Sequence, residues 1–168
     1  KGWPDWRQAL PAARVAFAEA GRSLARLEAR TGRRIVLAIE PEPFCYPESI
    51  DEVLELFAAL PGDVRALGTL GVCFDTAHHA VGFEDLPDAL DRLAQAAIPI
   101  GKIQLSAALA ADTGGDAREA LRPFADPVYL HQVRARLAGG VLRAAPDLAP
   151  ALADDAFWTP GGEVRVHY

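Results

Sequence analysis

The sequence predicts a parallel α/β fold, and three observations carry that expectation. Two apolar runs, Leu37-Ala38-Ile39 and Val72-Cys73-Phe74, lead straight into acids, Glu40 and Asp75. Both runs are continuously apolar rather than alternating, as strands buried on both faces are. Short strand-like runs alternate with helical stretches at about 30 to 35 residues per unit, the period of a βαβ repeat. The order of elements suits a barrel or a doubly wound sheet, folds that bind ligands at the carboxyl edge of their strands. A site is therefore expected around Glu40 and Asp75.

Each element has its own local signal. Pro4-Asp5 marks a helix start, and Ala12 to Arg30 carries Val15, Leu24 and Leu27 among alanines until Thr31-Gly32 stops the helix. Ile35 to Ile39 is short and β-branched, which reads as a buried strand. After a proline-rich turn over 41–47, Ser49 with Glu52 forms a capping box ahead of Val53, Leu54, Leu56, Phe57 and Leu60. Pro61-Gly62 ends that helix, Leu70 to Phe74 is the second strand, and Asp85-Leu86-Pro87-Asp88 opens a helix carrying Leu90, Leu93 and Ala97. Ile98 to Leu105 is the third strand. Beyond Ser106 the pattern loosens into an insertion: a small, polar loop over 107–115, a short helix over 117–124, a long loop around 127–133 and broken helices over 135–153, where Gly139-Gly140 and Pro146 interrupt. Glu163 to Tyr168 alternates like a final strand.

The chain of 168 residues is 51% hydrophobic and 24% charged, enough to bury a core, and one domain spanning residues 1–168 is expected. Met is absent, position 1 is Lys, and the last residues still read as a strand, so an internal piece of a longer protein is expected. A formal charge of -6 with scattered arginines argues against a nucleic-acid partner. Apolar runs are broken well short of the roughly 20 residues of a membrane span, so membrane insertion is not expected and a cytoplasmic location is. Cys45 and Cys73 lack metal-ligand spacing and read as small buried side chains in a reducing compartment.

Strand alternation puts Glu40 in phase with Ala38, Asp75 with Cys73 and Gly71, and Gln104 with Lys102 and Ser106. Three neighbouring strands then aim Glu40, Asp75 and Gln104 at one point. Two carboxylates and an amide oxygen are hard donors suited to Mg²⁺ or Mn²⁺, and a nitrogen from His78 or His79 suits Mn²⁺, Co²⁺ or Zn²⁺. The competing reading is that both acids only cap helices or pair with Arg33, Arg34 or Arg65. Glu42, between two prolines, reads as structural, and His79, His131 and His167 as packing residues. His78 is a candidate for touching substrate. Lys102 is one of only two lysines and sits in an apolar strand. Burial there would lower its pKa and favour a Schiff-base nucleophile or an anion anchor; the plainer alternative is a lysine paired with Glu40 or Asp75. No glycine-rich phosphate loop and no nucleophile elbow is present.

The strand ending in Glu40, the motif Asp75-Thr76-Ala77-His78 after Val72-Cys73-Phe74, and the strand Gly101-Lys102-Ile103-Gln104-Leu105-Ser106 resemble the xylose isomerase-like TIM barrels, which include sugar isomerases, epimerases and endonuclease IV. More narrowly, Glu40-Pro41-Glu42-Pro43-Phe44-Cys45-Tyr46, residues 101–106 and Tyr129-Leu130-His131-Gln132-Val133 look like the EboE-type metabolite traffic proteins. The resemblance implies a partial (β/α)8 barrel, about strands five to seven plus an insertion. It implies Glu40 and Asp75 as divalent-metal ligands and His78 as a substrate contact, with Gln104 in place of a ligating histidine on the next strand. The activity implied is metal-assisted isomerisation or epimerisation of a small sugar-like or carbonyl metabolite, with Glu40, Asp75 and His78 catalytic and His78, Lys102 and Gln104 touching substrate. The alternative is a non-catalytic metabolite-binding or traffic protein. A Schiff-base aldolase using Lys102 is a further possibility, and phosphate-ester hydrolysis fits this acidic chain least.

Overall fold

A computed structural model describes Gln8 and residues 10–168, and the chain divides into two compact units. The first holds the described residues up to Asp75 together with Pro87–Gln104; the second holds Thr76–Leu86 and Leu105–Tyr168. The helix start expected at Pro4-Asp5 lies outside the described residues.

In the first unit, α1 (Leu10–Thr31) ends where Gly32 turns to a φ of 68° and returns its N–H to the Glu28 carbonyl at 2.8 Å. Three parallel strands, β1 (Leu37–Ile39), β2 (Leu70–Asp75) and β3 (Ile100–Gln104), form a sheet in that order. Helix α2 (Ile50–Ala59) starts at the expected cap, with the Ser49 hydroxyl accepting from Glu52 N–H at 3.3 Å. The Glu52 carboxylate reaches one residue further than a standard box and accepts from Glu48 N–H at 2.7 Å. Pro61-Gly62 does end α2, but a second short helix, α3 (Gly62–Leu67), starts at once. Leu70, Val72 and Phe74 share a face of β2, and all six residues of the strand are buried. With Leu56, Phe57, Val64 and Leu93 of α5 (Leu86–Gln95), they belong to the buried apolar set of this unit.

The other face of the sheet is made for close approach. A Cβ on Gly71 would stand 2.5 Å from the Pro99 carbonyl oxygen, and one on Gly101 would stand 3.1 Å from the Ala38 Cβ. Gly101 and Ala38 lie on strands separated by β2, whose neighbours normally sit about 4.8 Å away on each side. The sheet therefore curls toward this face, helped by a register irregularity between Val72 and Cys73 against β3. No closed barrel forms among the described residues, and both outer strands show apolar side chains to solvent: Leu37 on one edge, Ile100 and Ile103 on the other.

The second unit departs most from expectation. Helix α4 (Thr76–Val81), which the sequence did not signal, follows β2 without a break. The supposed loop over 107–115 contains a strand, β4 (Leu109–Asp112), and the supposed broken helices over 135–153 are largely a hairpin, β5 (Val133–Arg136) and β6 (Leu142–Ala145), before α7 (Leu148–Ala153). Its turn runs through Gly139 and Gly140, both at positive φ. Helix α6 (Ala117–Leu121) is as expected and passes into a 3-10 turn. The last strand, β7 (Glu163–Val166), lies between β4 and β5 in a four-stranded antiparallel sheet of order β4-β7-β5-β6. It does not extend the parallel series. Val133, Ala135, Val164 and Val166 pack with Leu148, Leu152 and Phe157 into a core belonging to this unit. On the opposite face the guanidiniums of Arg136 and Arg165 lie 4.6 and 4.3 Å from the Phe83 ring centroid, and Arg165 donates to the Ala80 carbonyl at 2.7 Å.

Candidate functional site

Asp75 is the last residue of β2, Gln104 the last of β3 and paired with it in register, and Glu40 follows β1 directly. The three side chains meet at the carboxyl edge of the curled face. Oxygens of Glu40 and Asp75 lie within 4.8 Å of one another. Between them, Gln104 Nε2 donates to Glu40 Oε1 at 2.7 Å and to Asp75 Oδ2 at 2.6 Å. Asp75 is 5% exposed and Glu40 is half-buried, so their repulsion is only partly screened. Two unit charges at that separation cost about 3 kcal/mol at an effective dielectric near 20. Two charge-assisted hydrogen bonds, each about 1.5 to 3 kcal/mol, offset that cost.

Lys102 completes the arrangement from the neighbouring rung, where it is paired with Cys73. Its Nζ donates to Gln104 Oε1 at 2.6 Å. The sequence expectation of a buried Lys102 is overturned: the residue is exposed, because β3 has no neighbour on its far side among the described residues. The burial required for a Schiff-base lysine is thus missing, and the ammonium pairs with the amide rather than with Glu40 or Asp75. Beneath the acids, burial pushes the Cys73 thiol up, and the Glu40 charge adds to the shift. Cys45 is exposed, not buried as expected; its thiol lies 3.8 Å from Glu42 Oε2, and desolvation followed by the Glu42 charge raises its pKa. Glu42 sits beyond β1 in the 41–47 turn, where its carbonyl accepts from Cys45 N–H at 2.9 Å.

The histidines belong to the second unit. His78 is buried on α4, three residues along the chain from Asp75, and its ring lies 4.8 Å from that of His167. His79 is buried with Nδ1 at 2.5 Å from Glu84, and His131 is buried against the Tyr168 ring. One clamp escaped sequence reasoning. Thr76 Oγ1 donates to the Ser106 carbonyl at 2.6 Å and accepts from Ser106 N–H at 2.9 Å, while the Ser106 hydroxyl accepts from Ala77 N–H at 3.3 Å. The available signal was Thr76 directly after Asp75 and Ser106 two residues after Gln104.

No protein-family model matches the chain, and neither a curated protein nor a solved structure shows significant similarity to it. No helix among the described residues is long and apolar enough to cross a membrane. The chemistry of the strand ends is therefore the ground for a functional reading. Two carboxylates from adjacent strands provide the hard oxygen donors that a divalent cation takes. The amide presents N–H groups, not its oxygen, toward them.

Proposed function

We propose that the chain carries the mouth of a partial, xylose isomerase-like TIM barrel and takes part in metal-assisted isomerisation or epimerisation of a small sugar-like or carbonyl metabolite. The observation that carries this reading is the meeting of Glu40 and Asp75 at the carboxyl edge of a curled parallel sheet. Glu40 and Asp75 would hold a divalent ion such as Mn²⁺, Mg²⁺, Co²⁺ or Zn²⁺. Such an ion supplies Lewis acidity toward a carbonyl or hydroxyl oxygen. For isomerisation one carboxylate would take the proton α to the carbonyl and return it to the neighbouring carbon on the same face, whereas epimerisation would need the other carboxyl group to supply a proton to the opposite face. Gln104 and Lys102 orient the hydroxyl groups of the substrate by hydrogen bonding.

One observation favours a second reading. The Gln104 amide already satisfies the two carboxylates, so the same edge also suits a non-catalytic site that binds or escorts a polar metabolite through hydrogen bonds alone. Elemental analysis of the purified protein, beside Glu40→Ala and Asp75→Ala, separates the two. The catalytic reading expects near-stoichiometric divalent metal in the wild type and its loss in both variants. Wild-type protein without metal after reconstitution with Mn²⁺ sinks it in favour of metabolite binding.

A further inference from the structure

We propose that Gln104, latched by Lys102, is a built-in competitor for the cation position, so that a divalent ion enters by displacing the amide rather than by being ligated by it. The inference rests on the reading of Glu40 and Asp75 as a metal-holding pair. Three contacts define the latch: the amide nitrogen to Glu40 at 2.7 Å, the same nitrogen to Asp75 at 2.6 Å, and Lys102 Nζ to the amide oxygen at 2.6 Å.

Only one orientation of the amide satisfies these contacts. With Nε2 inward, each contact joins a donor to an acceptor. Turned over, the amide oxygen would face two carboxylates, and its NH₂ group would face an ammonium that can only donate. Lys102 therefore disfavours the orientation in which Gln104 could serve as an oxygen ligand. Both amide hydrogens are directed at the oxygens a cation would need. The carboxylate pair becomes available only in the fraction of molecules whose amide has swung away, and the apparent metal affinity falls by that fraction. Gln104 is thus a residue that sets metal affinity while contributing no ligand atom, and Lys102 is a positioning residue that acts through it.

The test is a Mn²⁺ titration of the whole chain, reading free Mn²⁺ by electron paramagnetic resonance, on wild type, Gln104→Leu, Gln104→Ala and Lys102→Met. Circular dichroism establishes that each variant is folded, and the alanine variant stands in if the leucine does not fit. The latch predicts Mn²⁺ binding at least about tenfold tighter in either Gln104 variant. It also predicts a smaller gain in Lys102→Met that persists at high ionic strength, where a bare charge effect at this exposed position is screened. Weaker binding in the folded Gln104 variants overturns the proposal, because it makes the amide oxygen a ligand; the metal reading then stands. Unchanged or undetectable binding in them overturns it as well, since freeing the pair should create affinity. Metal bound by the Gln104 variants but not by the wild type supports the latch while removing metal-assisted catalysis from the native protein.

Discussion

Glu40 and Asp75 were legible because each ends an apolar strand, and period-two alternation tells which residues share their face. What they do for each other was not legible. The direction of the Gln104 amide follows from its carboxylate neighbours and from Lys102 two residues away, and strand phase has no bearing on which end of an amide faces inward. The exposure of Lys102 was misread for a related reason: an apolar strand implies burial only if something covers it. Gly71 carries a requirement that composition does not reveal, since a Cβ there meets the Pro99 carbonyl oxygen at 2.5 Å, and that oxygen accepts from Val72 N–H at 2.8 Å. Backbone atoms tied into a ladder cannot give way as a flexible side chain would. Gly71→Ala is therefore expected to destabilise the protein by about 1 to 3 kcal/mol, the usual cost of overpacking. The midpoint of urea unfolding reads this, and an unshifted midpoint would show that the sheet can open at this point.

Helices with explicit start and stop chemistry were recovered well, as Gly32 after α1 and Ser49 before α2 show. The end of α5 is less conventional. Ala97 takes a φ of 53°, its N–H bonds to Ala94 and the Ile98 N–H bonds to Leu93, both at 3.0 Å. This is a Schellman ending with alanine where glycine is usual, and the residues at the two positions whose apolar contact often accompanies it, Leu93 and Ile98, are both buried. The sequence pattern continues the helix through Ala97, because alanine gives no sign of a left-handed residue. Ala97→Gly relieves about 1 to 2 kcal/mol of backbone strain against about 0.5 to 1 kcal/mol of added chain entropy in the unfolded state. A net stabilisation of about 0.5 to 1 kcal/mol is expected as a raised melting temperature; a lowered one would show that the alanine methyl contributes packing. The hairpin of β5 and β6 was misread from its Ala, Leu and Arg content, which favours helix. In the structure Val133 and Ala135 are buried while Arg134 and Arg136 are more open, a period of two sustained by neighbouring strands.

Each unit carries its own core, and their different architecture has a measurable consequence. Leu148 is fully buried among Val133, Val164 and Phe157 in the second unit. Leu148→Ala should cost about 2 to 5 kcal/mol there through lost burial and a cavity. Hydrogen exchange followed by mass spectrometry is expected to show lost protection in β4 to β7, with β1 to β3 retaining theirs. Equal loss across both sheets would show that the units unfold as one. The first unit poses a different question, since its parallel sheet leaves apolar residues exposed on both outer strands, with Leu37 at 39% and Ile103 at 54%. Parallel sheets are ordinarily covered on their faces and managed at their edges. The amino-acid order alone was enough to determine the three parallel strands, helices α2 and α5 between them and the acids that follow the first two, because strand periodicity, capping and short-range turn chemistry are local. The long-range contacts of the fold decided the antiparallel pairing of the second sheet, the curl that brings Ala38 toward Gly101, and the amide held between Glu40 and Asp75. Those features depend on residues from different strands meeting in space, and no single stretch of chain encodes such a meeting.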